Sequence, residues 1–177
     1  MTERAVIIGN AVRFIFEGTA LDTPDTAASA DNVPENSDDA WLSFPCVDKA
    51  SVQIEEEMKE VWCPQPGARQ LSDIIPTKRK QTWKLTLNEV SQLTFQIALG
   101  HDAPDGSTDS FQPNKGTSRK GWIEIKQYDH DDDLWVTHTL WGLLRCTGEV
   151  NFDENHVQIP IEFIVIHSTN NLTEMVD

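Results

Sequence analysis

The sequence predicts a mainly β chain, an antiparallel β-sandwich or open barrel with one covering α-helix. Two observations carry this. In TKRKQTWKLTLNEVSQLTFQIALG, residues 77–100, an alternating strand hands over directly to an amphipathic helix. Elsewhere apolar residues recur with period two, the spacing of a strand with one dry and one wet face. Trp83, Leu85 and Leu87 alternate with Thr82, Lys84 and Thr86. From Val90 the apolar positions Val90, Leu93, Phe95, Ile97 and Leu99 follow mainly helical spacing, with Asn88 placed to cap the helix and Gly100 to end it. A single helix in a strand-rich chain implies a sheet with a helical cover.

In chain order, an opening strand or bent strand pair lies within residues 5–17, where Val12, Phe14 and Phe16 alternate with Arg13, Ile15 and Glu17. Residues 18–40 hold six acids, Asp22, Asp25, Asp31, Glu35, Asp38 and Asp39, with no Lys or Arg. Such a composition does not offset its own ordering entropy by burial, so the segment reads as an isolated linker or as an arm that orders on a partner. Next, ASVQIEEEMKEVW sets Val52, Ile54, Met58 and Trp62 on one parity against Gln53, Glu55, Glu57 and Lys59 on the other. Glu56 and Glu60 interrupt the apolar parity, which predicts that the strand leaves the core or bulges there. The segment CPQPGARQ separates it from the strand at Lys80, and residues 101–120 form a second long loop of Gly, Pro, Ser and Asp. Ile123 and Ile125 open a further strand, 129–133 is a polar turn, and the last two strands cover about 134–147 and 156–167. In the final strand Pro160 requires an edge or a bulge. The whole reads as one domain, residues 1–177.

A chain of 177 residues is long enough to bury its own core. Its 14 Lys and Arg against 29 Asp and Glu give a formal charge of −15. That surface repels phosphate and argues against a conventional DNA- or RNA-reading domain, though not against a surface that DNA passes without sticking. Cys46, Cys63 and Cys146 are odd in number and form no C-x-x-C pair, so neither a disulfide framework nor a structural zinc site is indicated, and reduced, partly buried thiols are expected. The apolar run in MTERAVIIGN is too short for a signal peptide or a membrane span, which points to synthesis and assembly in a cytosol and no membrane partner. The Asn171-Leu172-Thr173 sequon then reads as accidental.

Sites for chemistry are scarce. Residues 129–133, DHDDD, open like a calcium loop, but Leu134 stands where the motif needs Gly and Leu140 where it needs Glu, so a solvated hairpin turn is expected. Glu55, Glu56 and Glu57 are consecutive strand residues that point to opposite faces and do not converge as paired carboxylates. The histidines at 101, 130, 138, 156 and 167 show no metal-ligand spacing, and no Ser or Cys has a nucleophile setting. The six tryptophans lie in or beside strands, where packing is the default role. Nothing in the sequence argues for an enzyme, a metal or a cofactor.

The order of elements resembles the tail tube (major tail) proteins of long, non-contractile-tailed bacteriophages and related prophages. The resemblance rests on WLSFPCVDKASVQIEEE, on CPQPGARQ, on TWKLTLNEVSQL and on KGWIEIKQYDHDDD leading to a C-terminal hairpin, and it covers roughly residues 41–166. It implies a structural virion protein, made in the host bacterial cytoplasm, that self-assembles into stacked, six-fold rings forming a tail tube for DNA delivery. Implied partners are copies of itself, other tail proteins such as the tape measure, tail terminator and tail tip, and DNA passing without specific binding. Head-to-tail pairing of open sheet edges is one way to close such a ring. Six subunits with about four strands each at ~4.8 Å give a perimeter of about 115 Å and a backbone diameter of roughly 37 Å, room for a duplex. A carboxylate-lined lumen would keep DNA from adhering.

Two alternatives accompany that reading: the tube protein of a contractile injection or secretion system, and a β-sandwich module binding a carbohydrate or protein ligand through Trp122, Trp135 or Trp141. Three expectations follow. Glu55 and Glu57 face the lumen. The helix covers the outer side of the sheet through Val90, Leu93 and Ile97. The six acids of residues 18–40 form a mobile arm that orders across a subunit boundary against Lys78, Arg79 and Lys80 or Lys115, Arg119 and Lys120, with a solvated arm lacking any partner as the alternative.

Overall fold

The computed structural model describes residues 9–99, 119–153 and 156–176. Among these the elements run β1 (Gly9–Phe16), β2 (Leu42–Ser43), β3 (Val47–Gln65), β4 (Ala68–Leu87), α1 (Gln92–Leu99), β5 (Arg119–Tyr128), β6 (Leu134–Cys146), β7 (Asn151–Asp153), β8 (His156–Val165) and β9 (Leu172–Met175). All pairings are antiparallel, in an open sheet ordered β2-β1-β5-β6-β8-β4-β3, with β7 on β8 and β9 on β6. The mainly β architecture with one covering helix is therefore the one the alternation predicts.

Period two places Phe14, Leu85, Ile123, Leu144, Ile161 and Phe163 on one face, where they form the main core. Phe14 and Phe163 bring their ring centroids to 6.4 Å although their strands stand three places apart, about 14 Å in a flat sheet, so the sheet curls around this core. The curl passes over two glycines. Gly121 and Gly142 oppose each other across β5 and β6, and a Cβ at either would stand 2.6 Å from the ring of Phe14 or Phe163 respectively. The other face carries a smaller cluster of Ile15, Ala28, Trp122 and Trp141, with the two indoles 5.5 Å apart.

The helix is shorter than its apolar pattern suggests. It starts at Gln92, and its cap is Ser91, not Asn88: Ser91 Oγ accepts the Thr94 N–H at 3.1 Å while Thr94 Oγ1 accepts the Ser91 N–H at 2.7 Å. This reciprocal pair satisfies two backbone donors at once, which Asn88 would not. Leu93 and Ile97 enter the main core, whereas Val90 precedes the helix and is exposed. Leu93→Ala should cost about 2–5 kcal/mol in chemical denaturation, near the lower end because Leu93 lies at the margin of the core. A change within ~0.5 kcal/mol would show that the helix does not cover the sheet.

Several boundaries differ from the sequence reading. β4 begins at Ala68, so CPQPGARQ contains only a hairpin turn around Gly67, and residues 68–77 are strand. Their alternation is hidden by two register shifts opposite Glu57/Met58 and Val61/Trp62. Pro160 lies inside β8 but just past the last β6 pair, Cys146↔Ile161, and its carbonyl accepts the Thr147 N–H at 3.1 Å, so its missing donor interrupts no ladder. Residues 129–133 form a tight turn, with Asp129 Oδ1 accepting the N–H groups of Asp131 and Asp133. The short strands β2, β7 and β9 carry no sequence signal of their own. β9 is held on β6 by its ladder and by the Thr173 hydroxyl, 2.9 Å from Nδ1 of His138, whose ring lies tilted against Trp83 with centroids 4.7 Å apart.

Residues 18–40 are not a free arm within the subunit. Trp122 Nε1–H donates to the Ser29 carbonyl at 2.7 Å, Ser168 to Ala30 and Asn170 to Asp31, while Ala28 and Pro34 are buried. The segment makes up for its lack of large apolar residues by hydrogen-bonding to side chains that the sheet supplies, a source of order that composition does not reveal. The predicted loop at 101–120 lies largely outside the described residues.

Candidate functional site

Two surfaces of this fold are open. The first is the β3–β4 hairpin. β4 pairs with β8 only over Thr82–Leu87, so residues 53–81 project past the sheet as a two-stranded ribbon. Its strands, residues 53–65 and 68–81, at ~3.3 Å per residue make it about 43 Å long. Its even-parity face continues the core face: Val52 pairs with Trp83, Ile54 with Gln81, Met58 with Pro76, Glu60 with Ile74 and Trp62 with Leu71. Trp83 is buried, yet Ile54, Met58, Trp62, Leu71 and Ile74 are 44–60 % exposed. A row of large apolar side chains beyond the end of the core is an interaction surface by the ordinary logic of burial.

The opposite face of the ribbon is charge-balanced and mixed, with Val61 and Ile75 exposed among its charged residues. Glu55 stands 3.9 Å from Lys80 and Glu57 2.8 Å from Lys78, with Glu56 3.5 Å from Arg79 on the apolar side. The acidic run and the basic run thus face each other across the hairpin, a pairing visible in the sequence as EEE and KRK placed about the Pro-Gly turn but not recognised there. Lys78, Arg79 and Lys80 consequently meet acids of their own hairpin, and Glu55 and Glu57 do not form an unopposed carboxylate surface. Each exposed pair contributes only ~0–1 kcal/mol. Lys78/Arg79/Lys80→Glu should speed amide exchange along residues 53–81, and adding Glu55/Glu56/Glu57→Lys should restore most of the protection. Equal exchange in all three proteins would show that the ion pairs do not order the ribbon.

The second surface is a groove of about 660 Å³ on the face opposite the main core. Its floor comes from β5 and β6, one wall from residues 33–41 and the other from β9. At its inner end the buried Glu124 carboxylate accepts from Arg13 Nε at 2.7 Å and Arg13 Nη2 at 2.8 Å and meets Lys126 at 3.0 Å. The Arg13 guanidinium lies 4.5 Å over the Trp41 ring and donates to the Asn36 carbonyl at 2.9 Å, so this charge cluster of one acid and two cations ties residues 33–41 to the sheet. Further out, Thr137 pairs with Glu174 and Thr139 with Leu172. Among the described residues the Glu174 carboxylate has no hydrogen-bond or ion-pair partner.

The remaining residues singled out from the sequence fall as follows. Asp38 is buried, with its carboxylate accepting the N–H groups of Asp22 and Ala40, and Asp22 accepts the Asp39 N–H. Asp25, Asp31 and Glu35 are exposed, with Asp25 at a positive φ of 60°. Arg119 is buried and donates to the Ile97 carbonyl in the last turn of α1 at 3.1 Å, where it suits the negative end of the helix. Within the subunit it thus supports the helix from inside. Lys120 is exposed, and Lys115 lies outside the described residues. Of the tryptophans proposed as a ligand platform, Trp122 and Trp141 are buried in the second cluster, so only Trp135 could present a face. Cys46 and Cys63 are exposed, against expectation, and burial pushes the half-buried Cys146 thiol up from its ordinary value. No helix of the described residues is long and apolar enough to cross a membrane.

No protein-family model and no curated protein matches the chain. Solved structures do. A chain of the extended sheath–tube complex of an extracellular contractile injection system, PVC, is similar with a TM-score of 0.52 at 12 % identity, over 99 % of this chain and 94 % of that one. Chains of the anti-feeding prophage baseplate (TM-score 0.46, 11 % identity, 100 % and 99 % covered) and of its tube-terminating cap (0.45, 14 %, 88 % and 99 %) are also similar. The fold is therefore one that also occurs in the sheath–tube complex of a contractile injection system. That sheath–tube chain comes from a contractile system, not from the long non-contractile tails named from the sequence.

Proposed function

We propose that this chain is a structural subunit that assembles with copies of itself into stacked six-fold rings, forming the tube of a virion tail through which DNA is delivered. The observation that carries the reading is the ribbon: its apolar face is continuous with the core, exposed in one subunit, and of a length suited to crossing onto another. Charge supports the same partner. Residues 53–81 contain five acids and five bases, so the ribbon is neutral while the remainder of the chain holds the entire −15. Bodies of that charge repel one another, and a neutral apolar ribbon is the part that approaches a second body without that penalty.

The acidic body also suits a conduit for phosphate-bearing cargo. If the charge-balanced ribbon face lines the lumen, Glu55 and Glu57 arrive with Lys80 and Lys78 beside them, and repulsion of DNA falls to the other acids of the chain. The tube of a contractile injection system is the second reading, favoured by the fold likeness to the sheath–tube chain. In both, other tail components act as partners and no catalytic step is required. Sedimentation and negative-stain imaging across a concentration series test the shared core of these readings: rings or tubes are expected, and a monomer at every concentration would overturn both.

A further inference from the structure

We propose that the groove between residues 33–41 and β9 is the seat for the ribbon tip of a neighbouring copy; this rests on the self-assembly reading and specifies its contact. The chemistry of the two surfaces matches. Near the tip, the apolar face presents Trp62 and Leu71 and, in register with Pro64, Arg69, which has no ion-pair partner among the described residues. The groove offers the exposed apolar rim residues Val33, Leu172 and Val176, and beside them the unpartnered Glu174 carboxylate and the Thr137 and Thr139 hydroxyls. Tryptophan and arginine are the residue types that dominate interface energies when seated in a pocket, and a cavity of 660 Å³ lies within the range of specific binding sites. Glu124 at the inner end is met by two cations, Arg13 and Lys126, so the acid left for an incoming cation is Glu174 at the outer end, opposite in sign to Arg69.

Placement fits a chain of contacts. The ribbon leaves the β3–β4 edge of the sheet and the groove lies over β5, β6 and β9 in the other half, so a ribbon-in-groove contact is head-to-tail and repeats from copy to copy. Heterologous contacts of this kind close into rings or continue as filaments. A symmetric ribbon-on-ribbon dimer would use neither Glu174 nor the groove.

The test uses the full chain with p-benzoylphenylalanine in place of Leu71, irradiated under conditions where assembly has been verified by sedimentation. Cross-links mapped by mass spectrometry are expected on residues 33–41, 137–139 and 172–176 of another copy. In parallel, Glu174→Arg should raise the concentration needed for assembly at least tenfold, and Glu174→Arg combined with Arg69→Glu should recover most of that loss. Normal assembly with cross-links confined to another ribbon or another face, or with Glu174→Arg without effect, overturns the seat and leaves self-assembly standing. Absence of assembly in the unmodified chain overturns the self-assembly reading, and the seat with it.

Discussion

Replacing Met58, Trp62, Leu71 and Ile74 together with serine is expected to abolish assembly while leaving the subunit folded. All four side chains are 44–60 % exposed on the ribbon, so their removal takes little buried area from the subunit. Exposed substitutions of this kind ordinarily change stability by no more than ~0.5 kcal/mol each. At an interface the same side chains weigh differently: a tryptophan seated in a neighbour contributes ~2 kcal/mol or more, about thirtyfold in affinity. Four such losses, repeated at every contact of a closed assembly, place the required concentration beyond reach. Melting curves and sedimentation velocity on one preparation check both halves. A variant that still sediments as the wild type does would remove the ribbon from the interface, and one that fails to fold would show that the ribbon belongs to the core.

Phe163→Ala is expected to have the opposite profile, a stability loss of about 3–5 kcal/mol. Phe163 is fully buried on β8, meets Phe14 across the curl of the sheet and covers the Gly142 backbone. Removing the ring therefore leaves a cavity and uncovers a glycine that has no side chain to fill it. The complementary change, Gly142→Ala, forces a Cβ to within 2.2 Å of the Ile164 carbonyl and 2.6 Å of the same ring, and overpacking of that kind costs about 1–3 kcal/mol or more. Denaturant titration of both variants measures the effect. Losses below 1 kcal/mol in both would mean that the curl of the sheet does not depend on this ring-on-glycine packing.

These contrasts also mark what the sequence made legible. Alternation exposed β1, the inner half of β4, β5, β6 and β8 because each sends every second residue into the main core, and period two is the direct imprint of that burial even where Ile15, Trp122 and Trp141 are buried on the other face. The break of parity at Glu56 and Glu60 correctly marked where β3 leaves the core. What followed was hidden for a physical reason. Beyond the core no single subunit imposes an inside and an outside, and the bulges opposite Glu57/Met58 and Val61/Trp62 shift the parity of β4. The three-residue acidic and basic runs could have aligned the hairpin from either side of its Pro-Gly turn; read separately, they suggested a lumen lining and a docking patch. Residues 18–40 misled in the other direction. Their order comes from the Trp122 indole, from Ser168 and Asn170, and from the buried Asp38 carboxylate, contacts made at long sequence range that composition does not encode. The groove was illegible for the same reason, since its walls come from segments more than a hundred residues apart.

The most direct test of the central claim is a cryo-electron-microscopy map of the particle that the purified chain forms at high concentration. The expected result is a closed or helical array in which the Ile54, Met58 and Trp62 face of each ribbon is covered by another copy. An array held together by other surfaces, with that face left to solvent, would contradict it.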